Sequence, residues 1–182
     1  MKKWLTVVVA ALLLSACGNT KESDTAQLSE KNEEAIVGFE MMGGTIEEAT
    51  NVPEDEKVKI IAAFDEYIAS FNAKDIERYG KILSKNPQGF NYDEEMEFIQ
   101  STFENYDVKR LDSDVTIVKY DENVAQVFAN IDTQTKDLES NVDYYYSGRQ
   151  VTVFVKEDDD WKVSSVYYIG NQSDENPHGE NE

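Results

Sequence analysis

The chain of 182 residues contains one cysteine, Cys17, and one histidine, His178. A single thiol rules out a disulfide within the chain and any cysteine-based zinc set. The scarcity of histidine removes the side chain that most easily moves protons near neutral pH. Arginine occurs three times, at Arg78, Arg110 and Arg149, and 17 basic residues face 37 acidic ones, for a formal net charge of -20. Nucleic-acid phosphates repel such a chain, so no nucleic-acid partner is expected. Long apolar runs are also missing. The one between Leu5 and Leu14 falls well short of the about 20 residues a membrane helix requires.

That short run follows Lys2 and Lys3 and precedes Leu14-Ser15-Ala16-Cys17. A basic start, an apolar stretch and a small residue before the cut describe a secretory signal. The tetrad resembles a bacterial lipobox, which implies cleavage after Ala16 and a diacylglycerol thioether on Cys17. The expected location is therefore the outer side of a bacterial cell membrane, with the lipid on Cys17 as the membrane partner. Removing residues 1–16 takes away two lysines and no acid, which moves the charge from -20 to -22.

Residues 17–52 read as the lipidated cysteine followed by a mostly disordered acidic tether. Two features interrupt the tether: an apolar run from Ala35 to Gly44, expected to dock on the domain, and Thr45-Ile46-Glu47-Glu48, which has the form of a capping box. The folded domain is expected over residues 53–170. Pro53 and the acids Glu54, Asp55 and Glu56 suit a helix start. Ile60, Phe64, Ile68 and Phe71 then recur at helical spacing until Asn72 and Ala73 break the pattern. Asp75 caps a second helix bearing Ile76, Tyr79 and Leu83. Asp93 is expected to cap a third, which carries Met96, Ile99, Phe103 and Tyr106. From residue 108 the period drops to two, giving strands over 108–120, 124–133, 142–156 and 161–169. Ala125, Val127, Ala129 and Ile131 fall on one face. Helices followed by hairpin-linked strands make an α+β domain. Residues 171–182 read as a disordered acidic tail.

Two stretches carry a resemblance. The segment FDEYIASFNAKDIERYGKIL and the closing SGRQVTVFVKEDDDWKVSSVYY are similar to members of the nuclear transport factor 2-like (SnoaL-like) superfamily, including the calcium/calmodulin-dependent kinase association domains. The resemblance implies three N-terminal helices packed on a strongly curved antiparallel sheet, a cone with a pocket between the layers. Where such domains often carry a histidine six residues after the tryptophan, this chain has Tyr167.

Alternation by two groups Arg149 with Val151, Val153 and Val155, and Trp161 with Val163, Ser165 and Tyr167. If those faces are concave, Arg149, Trp161 and Tyr167 meet in the pocket, and Tyr145 shares the phase of Arg149. These four are the candidate ligand-binding residues, with Arg149 as a bidentate anion receptor or, more blandly, a partner for one of the many acids. Tyr144 and Tyr146 point to the other face. Asp112, Asp114 and Asp158–Asp160 lack calcium-loop spacing and read as turns, and Glu94, Glu95 and Glu97 as a helix start, so no metal or cofactor is expected. The leading expectation is a surface-tethered, non-enzymatic binding domain for a small apolar or anionic ligand or an envelope protein. Its rivals are an isomerase or hydrolase that uses a buried carboxylate with Tyr167, and a spacer that dimerises through its sheet.

Overall fold

The computed structural model describes residues 45–171, so the signal segment, Cys17, the 35–44 run and the tail beyond residue 171 lie outside the described residues. Helix α1 (Glu54–Asn72) follows Pro53, which stands at the N-cap without a side-chain cap. Glu54, Asp55 and Glu56 place negative charge against the exposed N–H groups of the first turn. Ile60, Phe64, Tyr67, Ile68 and Phe71 recur every three or four residues and are all buried against the sheet. At the other end Asn72 does more than break the helix. Its side chain accepts from the Arg110 backbone N–H at 2.7 Å and donates to the Arg110 carbonyl at 2.8 Å. Two such bonds, each contributing about 1 kcal/mol, clamp the helix end to the edge of the sheet.

Lys74 turns the chain at φ 53°, and Asp75 caps α2 (Ile76–Ile82) by accepting from the Arg78 N–H at 3.0 Å. Helix α3 (Tyr92–Asn105) is capped two residues earlier than the sequence suggests. Asn91 Oδ1 accepts from the N–H groups of Asp93 and Glu94, at 3.0 and 3.1 Å, so Asp93 lies inside the first turn. Tyr106, expected to close that helix, instead begins β1.

The strands β1 (Tyr106–Tyr120), β2 (Val124–Asp137), β3 (Asp143–Glu157) and β4 (Asp160–Gly170) form a four-stranded antiparallel meander in sequence order. Asp158 and Asp159, with φ of 50° and 68°, make the two-residue turn of the last hairpin. Ala125, Val127, Ala129 and Ile131 are buried on the inner face under the helices. Two register shifts in β1 and one in β4 bend the sheet around them. The result is the expected α+β cone, three helices on a curved antiparallel sheet.

Residues 45–52 contradict the capping-box expectation, and they move the start of the packed domain ahead of Pro53. Thr45 and Glu48 open no helix. The segment is a strap across the outer face of the sheet: the Ala49 N–H donates to the Ile117 carbonyl at 2.8 Å, and Asn51 Nδ2 to the Tyr120 carbonyl at 3.1 Å. Ile46 reaches the buried pair Phe128 and Val151, beside Val118. Glu48 pairs with Lys57, which ties the strap back to α1.

Candidate functional site

The inner face of the sheet continues past the end of α1, where no helix fills the space. There a cavity of about 700 Å³ opens between the C-terminal half of α1, helix α3 and the far ends of the strands. Tyr67, Phe71, Ile99 and Val108 form its buried wall, and Phe98, Tyr144 and Tyr146 stand exposed around its mouth. Most of the lining is apolar or aromatic. The charged side chains in it are Arg110 and Asp137.

Arg110 is held from several sides. The Asn72 clamp fixes its backbone, and the alternation of Tyr106, Val108 and Arg110 brings all three into the cavity. Its guanidinium carbon lies 3.7 Å from the centre of the Phe71 ring, and Nη1 donates to the Tyr67 hydroxyl at 3.2 Å. A cation on an aromatic face contributes about 0.5–2 kcal/mol, more as water is excluded. Asp137 pairs in register with Tyr106, four β1 residues from Arg110, so the two backbone positions lie about 13 Å apart along the strands. Asp137 is already engaged: Oδ1 accepts from the N–H groups of Glu139 and Ser140 at 3.0 and 2.8 Å, and the contacts to Ser140 hold its carboxyl below the usual range.

On β4, Tyr168 reaches the same cavity. A Cβ on Gly148 would come within 2.6 Å of the Tyr168 ring and hydroxyl, and within 2.5 Å of the Ile169 carbonyl. Glycine therefore lets the ring lie flat across β3. Burial raises the Tyr168 phenol, while the nearby Arg110 charge pulls it back.

The four residues expected to form the site are not brought together. Arg149 and Tyr145 do share a face, but it is the outer one. Tyr145 is 71% exposed and lines two smaller clefts that adjoin the main cavity but not the cavity itself. Tyr167 pairs with Val151 on the outer face, and Trp161 lies on the inner face. The grouping of Trp161 with Tyr167 fails at a β-bulge. Phe154 pairs with Val163 but Val153 pairs with Ser165, so Ser164 is an extra residue that reverses the phase of β4. The loop after α2 holds the bulge, since the N–H groups of Gln88 and Gly89 both donate to the Ser164 carbonyl, at 2.9 and 3.0 Å.

Trp161 lies at the opposite end of α1 from the cavity. Its Nε1 donates to Glu56 Oε2 at 2.9 Å. Glu56 precedes Tyr67 by eleven residues, about 16 Å of helix. Glu56 is 7% exposed and also bonds Lys59 at 2.9 Å and Lys156 at 3.0 Å. The hydrogen bonds from Lys59 and Lys156, with the smaller one from Trp161, hold its carboxyl down to about 2 despite burial. It is a buried carboxylate, as the enzyme reading requires, but a structural one outside the cavity lining and apart from Tyr167.

Arg110 was the residue that sequence reasoning missed. The signal is an arginine in phase with Tyr106 and Val108, masked by the charged Asp107 and Lys109 between them and by Leu111 directly after it. Tyr144 and Tyr146, set aside as facing away from Arg149, line the cavity for that reason.

Among the described residues, no helix is long and apolar enough to cross a membrane, and no group of three or more metal-ligating side chains occurs. Asp114, at φ 56° in a β1 bulge, accepts from Asn130 Nδ2 at 2.7 Å.

Residues 62–169 match the family model described as the anti-sigma-I factor RsgI9, C-terminal domain. The chain belongs to that family. Its matched stretch runs from the middle of α1 almost to the end of β4, so it includes the whole cavity. No curated protein matches the chain. Solved structures of similar fold include a ketosteroid isomerase-like protein from Erwinia carotovora, at TM-score 0.55 and 19% identity, covering 64% of this chain and 96% of that one. A protein of Novosphingobium aromaticivorans described as a scytalone dehydratase aligns at TM-score 0.57 and 15% identity, covering 70% and 95%. One of Exiguobacterium sibiricum described as a calcium/calmodulin-dependent kinase II association domain aligns at TM-score 0.57 and 11% identity, covering 68% and 98%. At these identities the likeness is one of fold, the nuclear transport factor 2-like cone.

Proposed function

We propose that this protein is a lipid-anchored binding domain, facing outward from a bacterial membrane through Cys17, that holds a small apolar or anionic molecule in the cone without transforming it. The observation that carries this reading is the cavity of about 700 Å³, walled by Tyr67, Phe71, Ile99 and Val108 and open past Tyr144 and Tyr146. Space of that size and lining is what small-molecule sites require. The carboxylate in the lining, Asp137, is tied into a turn and held ionised, a poor proton shuttle at neutral pH. The dehydratase and isomerase names among the structural neighbours therefore lend this chain a shape rather than a reaction. The matched family is the C-terminal part of an anti-sigma factor, which suits a module that reads a molecule by binding it.

Native mass spectrometry of the full chain, purified from its own host, tests the reading. A retained small molecule of unchanged mass is expected, and Thr133→Trp, which places an indole in the cavity, should lose it. A chain that carries nothing, or an adduct indifferent to Thr133→Trp, would sink the proposal.

A further inference from the structure

Within the binding reading just given, on which it rests, we infer that the cavity selects an amphipathic monocarboxylate: an apolar aromatic or alkyl body with one carboxylate, received by Arg110. The inference begins from what Arg110 lacks. A guanidinium carries five N–H donors and cannot lose its charge. Here Nη1 donates to the Tyr67 hydroxyl and one face covers Phe71, and among the described residues Arg110 makes no ion pair. Arg78 shows the alternative in the same molecule. It is held by Glu66 through two parallel bonds, Nε to Oε1 at 2.8 Å and Nη2 to Oε2 at 2.7 Å. In a chain with 37 acids, an arginine in an apolar cavity without such a partner keeps its fork available for a planar two-oxygen acceptor.

The surroundings fix the rest of the ligand. Phe71 and the Tyr67 hydroxyl hold the guanidinium and the Asn72 clamp holds the backbone beneath it, so little order must be gained on binding. By strand register Tyr146 and Tyr144 lie level with Arg110 and beyond it toward the mouth, and Tyr168 and Val166 line the deeper side, so the lining suits an apolar body lying along the strands. A second negative group at the far end of that body would approach Asp137, about 13 Å away along the sheet, and be repelled. One charge at one end is what the lining accommodates. A cationic ligand, which the overall charge would attract, meets Arg110 in the cavity.

The test compares two soluble probes of one shape, phenylbutyrate and its neutral amide, by isothermal titration calorimetry on the full chain. The acid should bind roughly tenfold to a hundredfold more tightly than the amide, the range a charge-assisted hydrogen bond supplies. Arg110→Gln should remove that preference, while an unchanged circular dichroism spectrum and thermal midpoint show the fold intact. Arg110→Lys, which keeps charge but loses the fork, should fall between. Equal binding of acid and amide to the parent, or a preference that survives Arg110→Gln, overturns the inference while the binding reading stands. Failure of both probes to bind counts against both.

Discussion

At the scale of single residues, the electrostatic work is divided between two ends of α1. Glu56 at the start carries structure, and Arg110 beside the end carries the site. The Glu56 carboxyl is held at about 2 in the folded chain against an ordinary 4.5, so the folded state binds that proton more weakly than the unfolded state. The stability it confers is complete above the ordinary value and drains away as pH falls from about 5 toward 2. Glu56→Gln should therefore flatten the acid limb of unfolding and lower stability at pH 7, because Lys59 and Lys156 lose their shared partner. Trp161 reports both, being the one tryptophan among the described residues and bonded to Glu56. An acid-unfolding curve identical to the parent's would show that the cluster contributes nothing. Sequence reading could identify Glu56 as a helix-start acid, since its position in the first turn is local. Its bonds to Lys156 and Trp161 could not be read, because they join residues a hundred positions apart. The same limit hid Arg110, whose value depends on Phe71 and Tyr67 arriving from another element.

At the scale of elements, local pattern was a good guide to existence and a poor one to facing. The three helices and four strands lie close to the expected bounds, because capping side chains and apolar spacing act over a few residues. Facing failed for two physical reasons. The Ser164 bulge inverts β4 halfway along, and it is held by a loop that follows α2. On β3, valines normally mark the inner face, but here Val151 is fully buried on the outer one, beside Phe128 under Ile46. The inner face carries Gln150, Thr152 and Phe154, also buried, so both phases of the strand are covered and alternation cannot rank them. The strap thus acts as an added layer. Ile46→Asp should cost about 1–2 kcal/mol by exposing that apolar pair and burying a charge against it. Urea midpoints measure the loss, and the Ala49 amide should lose its protection from hydrogen exchange. A variant as stable as the parent would mean the strap only rests on the sheet.

At the scale of the whole molecule, the fold class was legible from order alone, helices first and then hairpin-linked strands, and the cone from resemblance. The cavity was not, because it is a void: it exists where α1 ends before the sheet does, and no residue announces an absence. The proposed anchor belongs to this scale too. Cys17→Ala should move the protein from the membrane fraction to the soluble one and abolish incorporation of labelled fatty acid. Retention of Cys17→Ala at the membrane would remove the lipid from the account. If the chain is held from its N-terminal side, a pull reaches residues 45–52 before it reaches α1. Among the described residues that strap is held by one backbone hydrogen bond at Ala49, one side-chain bond at Asn51, the Glu48–Lys57 pair, the seat of Ile46 and the packing of Ala49 and Val52 on the core. The sheet behind it is a continuous ladder of four strands. Under load the strap would peel away bond by bond while the cone stayed shut, giving the molecule a mechanical fuse that bares Phe128 and Val151 before the cavity is disturbed.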